Sequence, residues 1–156
     1  MNQLRRTFLR LSGAAGTLAL ATAAGLLKTG EALAAVWNKG AFESKAVADA
    51  LKGLGASNLI ESNDISITAP EIAENGAVVP VAVTSKIPNT QSISIVAEKN
   101  PFPLTATFDI ANGAEAYVST RLKIGESSNL RAVVKADGKF YTAVKGVKVT
   151  IGGCGG

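Results

Sequence analysis

The chain contains no histidine, one cysteine and one methionine among its 156 residues, and only 5% of its residues are aromatic. Zinc and copper sites are usually built from clusters of His, Cys or Met ligands, so one copy of this chain cannot assemble such a site. Nucleophilic catalysis usually places a base beside the nucleophile, and histidine is the commonest such base. The composition therefore argues against a metal centre and against a catalytic cysteine–histidine pair.

The single cysteine also excludes an internal disulfide, so the hydrophobic core alone must hold the fold. Cys154 lies within the last five residues, Gly152-Gly153-Cys154-Gly155-Gly156. Because glycine loses the most entropy on ordering, this run predicts a flexible arm, and its thiol is displayed instead of packed. Cys154 is the third residue after Ile151, which lets the sulfur stand about 10 Å from the fold.

Residues 1–34 have the three parts of a bacterial secretory signal. A basic segment contains the twin arginines Arg5 and Arg6, an Ala/Gly/Leu-rich stretch runs from Leu11 to Leu27, and small residues precede a cleavage point after Ala34. A transmembrane anchor is the weaker interpretation, because the apolar stretch is short. We expect twin-arginine export to the periplasm and no membrane attachment after cleavage.

Removing this leader nearly neutralises the chain. The whole sequence has 16 Lys and Arg against 12 Asp and Glu; the leader holds four of the bases and one acid, which leaves 12 bases and 11 acids from Ala35 onward. No basic tract with interleaved aromatics remains, so nucleic acid is not an expected partner. The acidic residues are scattered along the sequence, and we expect them on solvent-exposed faces instead of in a paired catalytic site. The length fits one carrier domain, residues 35–151, followed by the arm, residues 152–156.

Trp37 to Leu54 shows apolar residues at helical spacing, which predicts one amphipathic helix that Gly53 and Gly55 end. The apolar stripe reads as a face that docks on the domain. Its members are Phe42, Ala46, Val47, Ala50, Leu51 and Leu54.

From Asp64 onward the apolar period changes to two, the pattern of half-buried strands. Pro80 suggests that the second strand lies at a sheet edge or a bulge, and Asp137-Gly138 predicts a two-residue hairpin turn. The fold class is mainly β: an antiparallel immunoglobulin-like β-sandwich of about seven strands with an N-terminal helix. The predicted strands are Ile65 and Ile67; Val78–Ser85; Gln91–Ala97; Leu104, Ala106 and Phe108; Ala114–Ile124 with Ala116, Val118, Thr120 and Leu122 on one face; Leu130–Ala136; Phe140, Thr142 and Val144; and Val147–Ile151.

The displayed thiol leaves several functions open. A covalent carrier and a structural module crosslinked through a Cys154 disulfide fit the residues about equally, since an odd cysteine in an exported chain points to an intermolecular partner. A thiol enzyme or a metal chaperone is disfavoured by the missing ligands, and the nearby carboxylate of Gly156 disfavours the reactive thiolate. An incidental cysteine fits poorly with its symmetric glycine flanks. The acidic loop Glu71–Gly76 reads mainly as a connection.

The sequence resembles the SoxY family, the sulfur-carrier subunits of the periplasmic thiosulfate-oxidising system. The terminal Gly-Gly-Cys-Gly-Gly after Val147–Ile151 carries the likeness most specifically, together with the twin-arginine leader. The other segments that carry it are Pro70–Val81, Glu98–Leu104 and Val118–Arg121.

This resemblance implies that Cys154 is the attachment site for sulfur and that Gly152, Gly153, Gly155 and Gly156 form the arm. It implies a heterodimer with a SoxZ-like β-sandwich subunit. It further implies that a c-type cytochrome enzyme couples thiosulfate to the cysteine as an S-thiosulfonate, and that a di-manganese hydrolase releases sulfate and leaves a persulfide. A molybdenum sulfur dehydrogenase, where present, oxidises that sulfur further. The carrier itself is then a substrate, with no cofactor of its own.

Overall fold

The computed structural model describes residues 37–111 and 113–150, which hold two short helices and nine strands. The helices are α1 (Lys39–Phe42) and α2 (Val47–Gly53). The strands are β1 (Leu59–Glu61), β2 (Ile65–Thr68), β3 (Ile72–Ala73), β4 (Val79–Ser85), β5 (Thr90–Ala97), β6 (Leu104–Asp109), β7 (Tyr117–Leu122), β8 (Ser128–Ala136) and β9 (Lys139–Val149).

The strands form two sheets that share one core, which confirms the predicted mainly β sandwich. The larger sheet has the order β1-β9-β8-β5-β6 with β3 also on β9, and the smaller sheet has the order β2-β4-β7. Val81 and Val83 of the smaller sheet and Ile93, Ile95 and Leu130 of the larger one are at most 1% exposed and belong to one apolar cluster. Burial of such side chains contributes about 1.5–3 kcal/mol each, which fits a fold held by its core.

Two features of the sheets differ from the prediction. The structure has nine strands instead of about seven, because β1 and β3 are too short to show a period in the sequence. Both pair with β9 in parallel, whereas the other pairings are antiparallel. The β4 strand is the middle strand of its sheet, so the edge position predicted from Pro80 is wrong for the strand as a whole. Pro80 is tolerated because β2 pairs only as far as Ala82, which leaves Pro80 without a neighbour on that side.

The single helix predicted over Trp37–Leu54 is also wrong, since two helices occupy the segment. The Ser44 hydroxyl donates back to the Gly40 carbonyl at 2.7 Å and competes with the helical backbone bond, and Ala46 is extended where α2 begins. Ala46 is exposed, and Ala41 lies in the buried face instead. Most of the predicted docking face is correct: Ala50 packs with Ala41, Val96 and Leu104, joined by partly buried Phe42, Val47 and Leu54. The exception besides Ala46 is Leu51, which is half-buried and lies outside this cluster. The helix α2 ends at Gly53, and Gly55, two residues later, has φ at +76°, so the predicted glycine stop is confirmed.

A bulge explains why Leu104 lies on that helix-covered face. The pairing of β5 with β6 shifts register between Ile95 and Val96, so Ala106 lies opposite Ile95 while Leu104 lies opposite Val96. The bulge turns Leu104 away from the sandwich core, where Ala106 and Phe108 pack. Sequence alternation alone had placed Leu104, Ala106 and Phe108 on one face.

The last two predicted strands form one continuous strand, β9, of eleven residues. Tyr141 and Ala143 pack against the sandwich core, whereas Val144 is 45% exposed on the opposite face. The hairpin before it is as predicted: Asp137 and Gly138 have φ of 48° and 73°, the pattern of a type I′ turn.

This turn gives a clean test of backbone strain. A Cβ at Gly138 would have no heavy atom within 4 Å, so an alanine there would cause no steric clash. We therefore expect Gly138→Ala to lower the free energy of unfolding by about 1–2 kcal/mol through its left-handed backbone alone. Gly40→Ala is the matched control, because its Cβ also meets open space but its φ lies outside the left-handed range; it should gain about 0.5–1 kcal/mol. Urea unfolding measures both, and a Gly138→Ala midpoint at or above that of the wild type would contradict the assigned turn.

Candidate functional site

The predicted sulfur-attachment residue, Cys154, lies outside the described residues. So do the arm glycines Gly152, Gly153, Gly155 and Gly156 and the predicted export residues Arg5 and Arg6. The described chain ends at Thr150, four residues before the cysteine. The candidate site is therefore the segment from which the arm starts, Lys148-Val149-Thr150, called the arm root below, with its immediate surroundings.

One flank of the arm root is β3, in the acidic loop Glu71–Gly76, for which the sequence favours a connection over a binding edge. Ile72 and Ala73 pair in parallel with Lys148 and Val149. The Lys148 amide donates to the Glu71 carbonyl at 2.8 Å, and the Thr150 amide donates to the Ala73 carbonyl at 3.1 Å. Each residue of the arm root is thus tied to this flank by pairing or by a backbone hydrogen bond.

The other flank is a serine side chain. The pairing of β8 with β9 ends at Ser128 and Val147, one residue before the arm root begins. Beyond that point the Val149 amide donates to the Ser127 hydroxyl oxygen at 2.9 Å, and the same hydroxyl lies 3.5 Å from the Val149 carbonyl oxygen. Ser127 therefore takes the place of the backbone group that a longer β8 would supply.

Gly76 links the loop that carries β3 to Ile124, three residues before Ser127. Its carbonyl accepts from the amide of Ile124, a residue that is 1% exposed, at 2.7 Å. A Cβ at Gly76 would collide with the Ile124 carbonyl oxygen and would lie 2.8 Å from Cγ1 of Val149. Only glycine lets the loop approach Ile124 and Val149 this closely without displacement.

Further hydrogen bonds tie the neighbouring loops at this end of the sandwich. The Asn100 side chain donates to the Lys123 carbonyl at 2.8 Å and accepts from the Gly125 amide at 3.0 Å. Glu98 accepts from Arg131 through Nε at 2.9 Å and Nη2 at 2.7 Å. The loop 98–103 is thereby bonded to the loop between β7 and β8 and to β8 itself.

An open groove of about 690 Å³ runs beside the arm root. Lys99, Lys145 and Lys148 line it together with Glu71 and Glu98. Its wall also includes Ile72, which is 58% exposed. The excess of lysine favours anions over cations near the start of the arm. Within residues 37–111 and 113–150, no group of three or more His, Cys, Asp or Glu side chains is placed to hold a metal ion.

The same described residues contain no helix that is both long and apolar enough to cross a membrane.

Comparisons with known proteins bear on this site directly. The family model "Sulfur oxidation protein SoxY" matches residues 51–154, so the matched region reaches Cys154. The solved structure of the sulfur carrier protein SoxY from Chlorobium limicola f thiosulfatophilum is similar at 45% identity with a TM-score of 0.59, and the match covers 66% of this chain and 96% of that one. A comparison with curated proteins finds no match.

Two more distant structures share only a general likeness. A chain of the solved structure described as "Structural basis of T cell specificity and activation by the bacterial superantigen toxic shock syndrome toxin-1" matches at 12% identity with a TM-score of 0.40, covering 55% of this chain and 99% of that one. The human F-spondin reeler domain matches at 10% identity with a TM-score of 0.41, covering 58% and 93%. Similarity at this level indicates no shared function. The match over residues 51–154 includes more than half of the chain, and the chain therefore belongs to the SoxY family of sulfur oxidation proteins.

Proposed function

We propose that this chain is a covalent sulfur carrier of thiosulfate oxidation and that the sulfur is attached to Cys154. The observation that carries the proposal is the placement of the only thiol, four residues past the firmly bonded Thr150 and at the end of the matched region. A lone thiol with glycine on both sides suits display on an arm better than packing in a core. The family relationship supplies the identity of the cargo.

The proposed cycle needs two partner reactions on the sulfur. In the first, the thiol of Cys154 and thiosulfate lose two electrons and one proton to a c-type cytochrome enzyme, and a disulfide bond forms between the cysteine sulfur and the outer sulfur of thiosulfate. In the second, water cleaves the bond between that outer sulfur and the sulfonate, so sulfate leaves and a persulfide remains. The second step changes no cysteine bond, and a di-manganese hydrolase would catalyse it. A molybdenum sulfur dehydrogenase would oxidise the persulfide in hosts that have it.

The geometry suits a substrate of other enzymes. Four residues span at most about 14 Å from Thr150, so an enzyme must bring its active site to the arm-bearing end of the sandwich. Glycine on both sides of the cysteine leaves the arm narrow, which allows entry into a confined channel. The chain then acts as a carrier, not as an enzyme, and needs no cofactor of its own.

The location and the subunit partner form part of the same proposal. The twin-arginine leader, residues 1–34, would deliver the folded chain to the periplasm, where thiosulfate and c-type cytochromes meet. A SoxZ-like β-sandwich subunit without a leader would travel with it as a heterodimer.

Bulk on the arm should separate enzyme access from thiol reactivity. Replacing both Gly153 and Gly155 with leucine is expected to slow sulfur loading by the thiosulfate-coupling enzyme at least tenfold, because the side chains obstruct a narrow channel. The rate with a small aromatic disulfide reagent should stay within about twofold of the wild type. The Gly153→Ala/Gly155→Ala double variant is the control. Its rate of enzymatic loading should lie between those of the wild type and of the leucine variant. Equal slowing of both reactions would contradict a mobile arm.

A disulfide-crosslinked structural module is the second candidate, and the lone cysteine of an exported chain favours it. It predicts that the resting protein is a covalent dimer of this chain, which reductant converts to monomer without releasing any sulfur species.

A further inference from the structure

We propose that Ser127 and Gly76 are positioning residues that fix the start of the carrier arm at Thr150 and thereby set the reach of Cys154. This inference rests on the proposed function and deepens it. The contacts that carry it all lie within the described residues, on either side of the arm root Lys148-Val149-Thr150.

On the β3 side, backbone bonds and the Thr150 hydroxyl, which donates to the Glu74 carbonyl at 3.4 Å, hold the arm root, and Val149 packs against the core cluster. The regular pairing of β9 with β8 ends at Val147, which is 2% exposed. After it, the strand has a two-residue neighbour, β3, on one side and the Ser127 hydroxyl on the other. A two-residue strand pairing is marginal by itself. The bond from the Val149 amide to Ser127 at 2.9 Å is the contact that takes over on the β8 side once the regular pairing ends.

Gly76 keeps β3 in place. The loop that carries β3 turns back at Gly76, where its carbonyl accepts from the buried Ile124 amide at 2.7 Å. A methyl group there would collide with the carbonyl of Ile124 and press on Val149 at 2.8 Å. Since neither the backbone nor the buried Ile124 can yield easily, the loop itself would move away, and β3 would move with it.

Loss of either contact would lengthen the tether. With the arm root bonded, four residues connect Thr150 to Cys154; with it released, seven connect Val147 to Cys154. Effective concentration falls roughly as the −3/2 power of tether length, which gives about a twofold loss before any loss of direction is counted. A partner enzyme that docks on the sandwich would detect this change, whereas a small reagent in free solution would not.

The test uses the chain from Ala35 to Gly156 as the wild type and as Ser127→Ala, Ser127→Thr and Gly76→Ala. Ser119→Ala, an exposed serine on β7 of the other sheet, is the matched control. Amide hydrogen exchange at Val149 and Thr150 reports whether the arm root opens. A nitroxide on Cys154, the only cysteine, reports by paramagnetic broadening of backbone amides how far the arm ranges. Loading by the thiosulfate-coupling enzyme is compared with the rate toward the small disulfide reagent.

We expect Ser127→Ala and Gly76→Ala to speed exchange at Val149 at least tenfold, to spread the broadening to more distant amides, and to lower enzymatic loading two- to threefold. The small-reagent rate should change less than twofold, Ser127→Thr should restore wild-type values because it keeps the hydroxyl, and Ser119→Ala should change nothing. Unchanged exchange in both variants would overturn the proposal, and so would faster exchange with unchanged broadening and loading. A wild-type chain that never loads sulfur would refute the carrier function instead, while exchange and broadening would still decide the positioning role.

Discussion

Replacing Cys154 with serine is expected to abolish sulfur loading completely and to leave the free energy of unfolding within about 0.5 kcal/mol of the wild type. No other thiol exists in the chain to accept the sulfur. We expect no loss of core packing, because Cys154 lies in a glycine run past the last described strand, β9. Intact mass after incubation with thiosulfate and the coupling enzyme measures loading, and thermal unfolding measures stability.

A relocated thiol provides the control. The Cys154→Ser/Ser119→Cys double variant carries one exposed cysteine on β7, away from the arm. It should react with the small disulfide reagent yet remain unloaded by the enzyme, because the thiol can no longer enter a channel. An adduct on Cys154→Ser alone, or a fall of many degrees in its unfolding midpoint, would refute the assignment of the thiol to a displayed arm.

Ile93→Ala should give the largest loss of stability. Ile93 is 0% exposed in the sandwich core, between Phe108 of β6 and Val134 of β8. Removing its buried methyl and methylene groups leaves a cavity and costs about 2–5 kcal/mol. No internal disulfide restrains the unfolded chain, so we expect the unfolding midpoint to fall by roughly 10–20 °C.

Ile60→Ala is the matched control, since the same atoms are removed from a side chain that is 47% exposed on β1. Ile60→Ala should lower the free energy of unfolding by about 1 kcal/mol or less. Thermal and denaturant unfolding of the two variants measure the difference. Equal losses would show that the shared core is not the main source of stability.

The sequence was most informative where a strand has one solvent-exposed face and one buried face. Val118 and Leu122 of β7 are buried between exposed Tyr117, Ser119 and Arg121, as the alternation predicts. The turn at Asp137-Gly138 could be predicted for a related reason, because few residue pairs accept positive φ at both positions. In both cases a local rule acts within a few residues.

The errors arise where distant contacts override a local pattern. Leu104 changes face because β5 forces a bulge into β6, and that contact is invisible from either strand alone. The helix predicted over Trp37–Leu54 is interrupted by the Ser44 hydroxyl, a polar group that the apolar stripe does not reveal. The strand β3 exists only because β9 offers it a free edge.

The candidate site divides in the same way. Composition was enough to single out Cys154 and its four glycines, because a lone thiol in a glycine run needs no fold to be noticed. The residues that hold the arm root were not predictable, since Ser127 contacts Val149 across 22 positions and strands β4 to β7 separate Gly76 from Ile124 in the chain. Only the folded chain brings these groups together.

The most direct test of the central claim is the intact mass of the protein, with and without reductant, after purification from the periplasm of thiosulfate-grown native cells. We expect reductant-sensitive sulfur or sulfonate adducts on the C-terminal peptide that contains Cys154. A bare thiol, or only a disulfide between two copies of the chain even in the presence of thiosulfate, would contradict the carrier function and favour the crosslinked structural module.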